Sequence, residues 1–123
     1  MKWLALALAS ASFGAAAWSD DQTGNWIYFG LLTGDKVSQK LSTSENDYRD
    51  YMTVVGYAMG VADMMQVGNI ICVPDKTEWG MVEKTIYLHL KEHPEDRALP
   101  AIFAIRQALD KPFKCLKRRE SQQ

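Results

Sequence analysis

Residues 45–66, ENDYRDYMTVVGYAMGVADMMQ, are the stretch that decides the fold. Large and small apolar residues recur through it at intervals of three and four, which is the period of one face of an α-helix. They are Tyr48, Tyr51, Met52, Val55, Met59, Ala62 and Met65. Two possible capping boxes stand at its start, Ser42-x-x-Glu45 and Ser44-x-x-Asp47. Gly68 and Asn69 supply a stop signal, so the pattern predicts one long helix over about residues 45–66.

One short helix is predicted before the long one, from about Gly34 to Leu41. The aromatic run at residues 26–29 precedes it. This run is either an irregular lead-in or an extra helical turn, because periodicity does not separate the two.

Two helices are predicted after the long one. The first begins near Thr77 and is ended by Pro94, and its apolar face consists of Trp79, Val82, Ile86 and Leu90. The second runs from about Arg97 to Leu109, with Pro100 in its first turn, where a missing N–H costs little. Its inward-facing residues are expected to be Ile102, Ile105 and Leu109. The predicted fold class is therefore all-α, a compact bundle of about four helices.

The long helix contains a G-x-x-x-G pair, Gly56 and Gly60, which in a membrane helix would form a dimer face. Asp63 and the capped ends favour a helix outside the membrane. We expect the two glycines to let a neighbouring helix approach closely, at an intrinsic cost of about 1 kcal/mol each relative to Ala. The methionines of this helix are expected to be adaptable core filler rather than a soft-metal site.

The N-terminus has the form of a secretory signal peptide. Lys2 precedes an apolar stretch at residues 3–13, and Ala15 and Ala17 fit the A-x-A pattern before a cleavage site. We expect residues 1–17 to be removed and residues 18–123 to form a single helical domain in the periplasm. The alternative is a buried N-terminal helix. The apolar stretch is too short to span a bilayer, so no membrane insertion is expected.

The charge balance argues against nucleic acid as a partner. The 14 Lys and Arg residues nearly balance 15 Asp and Glu residues, so no strong field would steer the chain toward an anionic polymer or membrane. The one basic cluster lies at the C-terminus and is interpreted as a solvated tail. It consists of Lys114, Lys117, Arg118 and Arg119.

Residues 89–93, HLKEH, place two histidines four apart with a glutamate between them. The order H-x-x-E-H occurs in zinc peptidases, so a metal site must be weighed. Against it, Pro94 follows directly, and a third ligand would have to come from the few residues that remain. With only two histidines, no Ser/His/Asp set is evident either. We therefore expect no enzyme, metal or cofactor, and interpret His93 as a helix terminus that interacts with the last free carbonyls.

The two cysteines, Cys72 and Cys115, suit an exported protein. A disulfide between them would close a loop of about 44 residues, which on the chain-entropy model stabilises by roughly 4 kcal/mol. The alternatives are two free buried thiols or a reactive thiol. A reactive thiol is disfavoured because no histidine stands beside Cys115 in the sequence.

An ordered series of segments resembles the Rap1a/Tai family of type VI secretion immunity proteins. The segments are LTGDKVSQKL, VVGYAMGVAD, ICVPDKT, LKEHPE and AIRQALDKPFKC. Many members of that family carry a cysteine pair where this chain has Leu41 and Val54, which is what the loss of one whole disulfide would leave. The resemblance therefore implies that Cys72 and Cys115 form the remaining bridge.

The resemblance implies a periplasmic protein that binds and inhibits a secreted peptidoglycan amidase. The candidate regions for partner contact are the loop at residues 92–99 and the aromatic lead-in. The residues that we expect to bind the partner are His93, Glu95, Asp96, Arg97 and Trp26. A homodimer is left open. The alternative of a different class is an exported helical envelope protein with a structural or chaperone-like role and no toxin partner, since fold alone does not give function.

Overall fold

The computed structural model describes residues 22–39 and 44–116, and within them the chain is all-α, as predicted. Four α-helices and one short 3-10 helix follow one another with no β-strand between them in those two ranges. They are α1 (Gly24–Ser38), α2 (Glu45–Val67), α3 (Trp79–Glu92), a 3-10 helix (Pro94–Ala98) and α4 (Ala101–Asp110). None of these helices is long and apolar enough to cross a membrane. The expected signal peptide, its cleavage site and the basic residues 117–119 lie outside the described residues.

The long helix α2 confirms the prediction that started from its caps. Ser44 and Asp47 form a capping box, in which Ser44 Oγ accepts from the Asp47 N–H and Asp47 Oδ2 accepts from the Ser44 N–H. Gly68 is the C-cap, and Asn69 follows with a φ of 56°. The predicted stripe is confirmed in part: Ala62 and Met65 are buried, but Tyr48 and Met52 are exposed. The residues that reach the core are Val54, Ala58, Ala62 and Met65.

The predicted start of α1 was wrong by about ten residues, because the helix begins at Gly24 and includes the aromatic run. Its first turn is held from outside the helix. The Gly24 N–H donates to the Leu99 carbonyl, and the Ala101 N–H donates to the Gln22 carbonyl. The helix lies very close to its neighbours, since a Cβ at Gly34 would collide with the ring of Tyr51.

The starts of α3 and α4 also differ from the predictions. Glu78 is the N-cap of α3 with an extended ψ of 139°, so α3 begins at Trp79 rather than near Thr77. Pro100 is the N-cap of α4 with an extended ψ of 143°, so the segment from Arg97 is not part of that helix. Pro100 therefore precedes the first turn and does not lie in it.

Two residues assigned to inward faces point outward instead. Trp79 is 57% exposed and Ile102 is 40% exposed. The remaining predicted residues of α3 and α4 are buried as expected, and they meet α1 and α2 in a single core. Its largest fully buried side chains are Ile27, Ile71, Ile86, Leu90, Ile105, Leu109, Val54 and Val82.

The two cysteines form a disulfide that closes the bundle. The Cα atoms of Cys72 and Cys115 lie 4.8 Å apart, and the residues are 43 positions apart in the chain. The Cys72 N–H donates to the Phe113 carbonyl over 2.8 Å. Together these contacts tie the segment after α4 to the segment after α2.

Candidate functional site

The C-terminus of α3 turns sharply into the 3-10 helix at HLKEH. His93 is the C-cap of α3, and both its backbone N–H and its ring Nδ1 donate to the His89 carbonyl, at 2.8 and 3.0 Å. The two imidazole rings are stacked with their centroids 4.2 Å apart. Pro94 then begins the 3-10 helix. The His93 ring therefore contacts a carbonyl of the last turn, as interpreted, but that carbonyl is not free, because it also accepts the His93 backbone N–H.

The ring of His89 contacts the 3-10 helix. His89 Nε2 lies 2.7 Å from Asp96 Oδ2, and both side chains are about four-fifths buried, at 22% and 21% exposed. This contact joins the last turn of α3 to the middle of the loop. The described residues contain no group of three His, Cys, Asp or Glu side chains placed to hold a metal ion.

Arg97 fixes the far side of the same loop. Its Nε donates to the Leu90 carbonyl over 2.6 Å, and its Nη2 donates to the Lys91 carbonyl over 3.1 Å. A cation that donates to the last carbonyls of a helix also interacts favourably with the negative end of the helix dipole. The guanidinium carbon lies 3.7 Å from the centroid of the Tyr28 ring, in cation–π geometry. Arg97 therefore joins the loop to α3 and α1 at once.

The aromatic residues of α1 form the support beneath this loop. Tyr28 stacks on Tyr87 of α3 with centroids 5.7 Å apart and an interplanar angle of 4°. Burial raises the pKa of Tyr87, and repulsion from the Tyr28 and Asp35 side chains adds to the increase, while Arg97 opposes it. Trp26 meets Tyr57 of α2 edge to face at 5.3 Å. The lead-in that periodicity left undecided is thus a packing element of the bundle.

The structure separates the five predicted contact residues into two groups. Glu95 is exposed and His93 is partly exposed. Asp96, Arg97 and Trp26 are partly buried and make the internal contacts given above. Partner binding by any of the five stays a prediction, and Glu95 is the one of the five that is exposed.

A second surface feature was not predicted, and it overturns the expectation for Gly56 and Gly60. Within residues 22–39 and 44–116, no helix packs on these glycines, because a Cβ built on either one meets no described atom within 4 Å. They line an open groove of about 650 Å³ between α2 and α4. Its other lining residues are Tyr57, Val61, Met64, Met65, Ile70, Ile102, Phe103 and Arg106. The spacing of Gly56, Gly60 and Met64 put them on one face, but only the position of α4 shows that the face is open.

Another cleft, of about 480 Å³, lies where α1, α2 and α3 meet. The Tyr51 hydroxyl donates to Glu83 Oε1 over 2.8 Å across it. Burial raises the pKa of Tyr51 to about 12, and the hydrogen bond and the negative charge of Glu83 add to the increase. This contact holds α2 to α3. It does not place a catalytic nucleophile beside a general base.

Comparison with known proteins bears on most of the helical region. A family model described as Rap1a immunity proteins matches residues 33–115. The chain belongs to the Rap1a immunity protein family. The matched region of this Rap1a protein includes α2, α3, the 3-10 helix, α4 and both cysteines of the disulfide. Searches of curated proteins and of solved structures found no match.

Proposed function

We propose that this Rap1a protein acts in the periplasm, where it binds and inhibits a peptidoglycan amidase toxin delivered by a type VI secretion system. The membership of the immunity family supports a protein toxin as the partner. The single structural observation that carries the proposal is the loop at residues 93–99, which is held by side-chain contacts to α1 and α3 and carries an exposed carboxylate at Glu95.

The rigidity of the loop is what makes it suited to inhibition. A loop that is already ordered loses little conformational entropy when it enters a cleft, so more of the contact energy appears as affinity. Asp96 and Arg97 supply that order through His89, the α3 carbonyls and Tyr28. In this proposal they are positioning residues and do not touch the toxin.

Glu95 is the residue that we assign to direct contact. It lies between Pro94, which restricts the backbone, and Asp96, whose side chain is held by His89. An exposed carboxylate on a fixed backbone pairs well with cationic or N–H donor groups of an enzyme cleft. His93 contributes only its exposed edge, since its Nδ1 is already bonded to the His89 carbonyl. Trp26 packs on Tyr57 of α2, so we do not assign it to the contact made by this loop.

The disulfide is consistent with the proposed compartment. A bridge that links segments 43 residues apart persists in an oxidising space such as the periplasm and is rare in a reducing cytosol. The expected signal peptide at residues 1–17 would deliver the chain there. Toxin and inhibitor would then meet on the side of the membrane where peptidoglycan lies.

The experiment is a protection assay with a peptidoglycan amidase from the same type VI secretion cluster, directed to the periplasm of a test strain. The full-length chain should protect the cells, and a chain that lacks residues 1–17 should not. Glu95→Arg should abolish protection and inhibition in vitro with the melting temperature unchanged. Asp75→Arg is the matched control, because Asp75 is also an exposed carboxylate in a loop, and this change should leave inhibition intact.

Two observations together would contradict the proposal. Suppose that the purified protein binds no amidase of the cluster, and that cells without it resist their siblings as well as before. The structural or chaperone-like envelope role would then replace immunity. Full inhibition by Glu95→Arg would keep the function but move the contact surface away from this loop.

A further inference from the structure

The open groove between α2 and α4 has no role in the function proposed above. Four large apolar side chains surround it and are substantially exposed: Met64 at 71%, Phe103 at 55%, Ile70 at 41% and Ile102 at 40%. Its floor is helix backbone at Gly56 and Gly60, where an added Cβ meets no described atom within 4 Å. A contiguous apolar patch of this kind on a domain surface marks an interaction site.

The chain enters the described structure beside one end of this groove. The Ala101 N–H donates to the carbonyl of Gln22, the first described residue, over 2.8 Å. The two residues of α4 that follow Ala101 both line the groove. On the other side of the groove, Tyr57 of α2 is in edge-to-face contact with Trp26, only four residues after Gln22. The residues that precede Gln22 are therefore tethered at the rim of the groove.

The length of the tethered segment fits the groove. If the signal peptide is cleaved after Ala17 as expected, the exported chain begins with Trp-Ser-Asp-Asp at residues 18–21. Four extended residues span about 13 Å at 3.3 Å each. The α2 row from Gly56 to Met64 is about 12 Å long at 1.5 Å per residue. The segment is thus long enough to lie along the groove floor.

The chemistry of the segment also fits. Trp18 is a large apolar residue that buries on the order of 200 Å² when it packs fully. Asp20 and Asp21 carry the opposite charge to Arg106, the charged residue that lines the groove. Arg106 is exposed, and within the described part of the chain it takes part in no ion pair. Charge complementarity between the segment and the groove would set the register of the contact.

A tether favours this segment over occupants that must come from solution. A short flexible tether holds its end group at an effective concentration on the order of millimolar. A second copy of the chain carries the same exposed Met64 and Phe103, so it is the strongest competitor for the surface. At micromolar protein concentration, however, it would have to displace a group that is already attached beside the groove.

We propose that residues 18–21 of the exported chain cover this groove. The Trp18 indole lies on the helix backbone at Gly60, beside Met64, and the two aspartates pair with Arg106. Removal of the signal peptide thus produces the segment that closes the apolar face. This inference depends on the expected cleavage and not on the toxin partner, so its tests use the isolated protein and can fail separately from the proposed function.

The first test locates Trp18 directly. The full-length chain is expressed with its signal, purified from the periplasm and checked by mass spectrometry for a start at Trp18. With methyl-labelled methionine, the Met64 methyl signal, assigned with Met64→Leu, should show a nuclear Overhauser effect to the Trp18 indole. Trp18→Ser should remove that effect. A purified chain that does not begin at Trp18, or the absence of the effect, would overturn the proposal.

The second test measures whether the apolar face is covered. Trp18→Ser should raise the fluorescence of the dye anilinonaphthalene sulfonate about fivefold, because the dye binds exposed apolar surface. Trp79→Ser is the matched control: Trp79 is also an exposed tryptophan, at 57%, but it lies outside the groove, so its loss should not raise the signal. Adding Gly60→Gln to Trp18→Ser should cancel the increase. Equal dye fluorescence in the parent and in Trp18→Ser would contradict a covered groove.

The third test concerns the charges. Asp20→Lys with Asp21→Lys should raise the dye fluorescence toward the level of Trp18→Ser, since the segment would then repel Arg106. Adding Arg106→Glu should bring the fluorescence back down by restoring opposite charges. A charge swap that restores nothing would sink the assigned pairing.

Sedimentation distinguishes the competing occupant. The exported protein should sediment as a monomer, and Gly60→Gln should leave it so. If it instead sediments as a dimer that Gly60→Gln converts to a monomer, the groove is an interface between two copies and the proposal fails.

Discussion

The guanidinium of Arg97 lies 3.7 Å from the centroid of the Tyr28 ring while its nitrogens donate to the carbonyls of Leu90 and Lys91. One side chain therefore connects the 93–99 loop to two helices that are far apart in sequence. The N–H groups of its planar guanidinium donate to the two carbonyls, and the flat face of the same group lies over the Tyr28 ring. Lysine has neither, so the two cations are not interchangeable at this position.

We predict that Arg97→Lys lowers the free energy of unfolding by about 1–2 kcal/mol, because it loses a bidentate contact and ring stacking but keeps a charge. Arg97→Ala should cost more, about 2–3 kcal/mol, since it also leaves the partly buried carbonyls without a donor. Urea denaturation measures both. A double-mutant cycle with Tyr28→Leu should give a coupling energy of about 1 kcal/mol, and zero coupling would show that the stacking contributes nothing.

The glycines should divide into two classes. Gly56→Ala should stabilise the protein by up to about 1 kcal/mol, since Ala favours the helix and its Cβ meets open space. Gly34→Ala should destabilise it by about 1–3 kcal/mol, because the new methyl group collides with the Tyr51 ring. Thermal unfolding measures the two shifts. Shifts of the same sign would contradict the described packing of α1 against α2.

The disulfide should account for a large share of the stability. Cys72→Ser with Cys115→Ser should lower the free energy of unfolding by about 2–4 kcal/mol, because the unfolded chain gains the freedom that the bridge removes. The unreduced protein, unfolded in denaturant, should contain no titratable thiol. Detection of two thiols there would contradict the bridge.

The stability should fall at alkaline pH in a way that depends on Tyr51. Its pKa is about 12 in the folded protein, above the ordinary value of 10.0, so the folded state favours the neutral phenol. The contribution is fully present below pH 10 and is lost as the pH rises toward 12. Tyr51→Phe should reduce this pH slope and cost about 1 kcal/mol at neutral pH through the lost hydrogen bond. A slope unchanged in Tyr51→Phe would contradict the assignment.

The HLKEH motif should behave as a helix terminus and not as a zinc site. The purified protein should hold no stoichiometric zinc, and EDTA should leave its melting temperature unchanged. His93→Ala should lower the free energy of unfolding by about 1 kcal/mol, because the His89 carbonyl loses the second of its two donors and the stacking of the two imidazole rings is lost. Tight zinc binding in a one-to-one ratio, abolished by His89→Ala, would restore the metal hypothesis.

The sequence predicted α2 well because its signals are local. The Ser44–Asp47 capping box and the Gly68–Asn69 stop signal lie within a few residues of the two ends of α2. They can therefore be recognised from the sequence without knowledge of the rest of the fold. The start of α1 could not be predicted from local signals. It depends on hydrogen bonds to the carbonyls and N–H groups of residues 99–101, which are about 75 positions away.

The contact site at residues 92–99 stays a prediction, and the sequence did not give the orientation of its side chains. Sequence reasoning directed attention to residues 92–99, yet it did not distinguish Glu95, which faces solvent, from Arg97, which faces the α3 carbonyls. That distinction depends on the position of Tyr28 in the tertiary structure. The groove was missed for a related reason: Gly56 and Gly60 indicate a surface that can be approached closely, but not whether anything within the chain does so.

The bond between Cys72 and Cys115 places α3, the 3-10 helix and α4 inside one covalent ring, and the 93–99 loop is part of that ring. A protease that cut the exposed backbone near Glu95 would open the ring but would not release a fragment. The two pieces would stay attached through sulfur, with α3 and α4 still packed on α1 and α2. In the proposed periplasmic role, the protein would therefore remain one molecule after a cut in this loop.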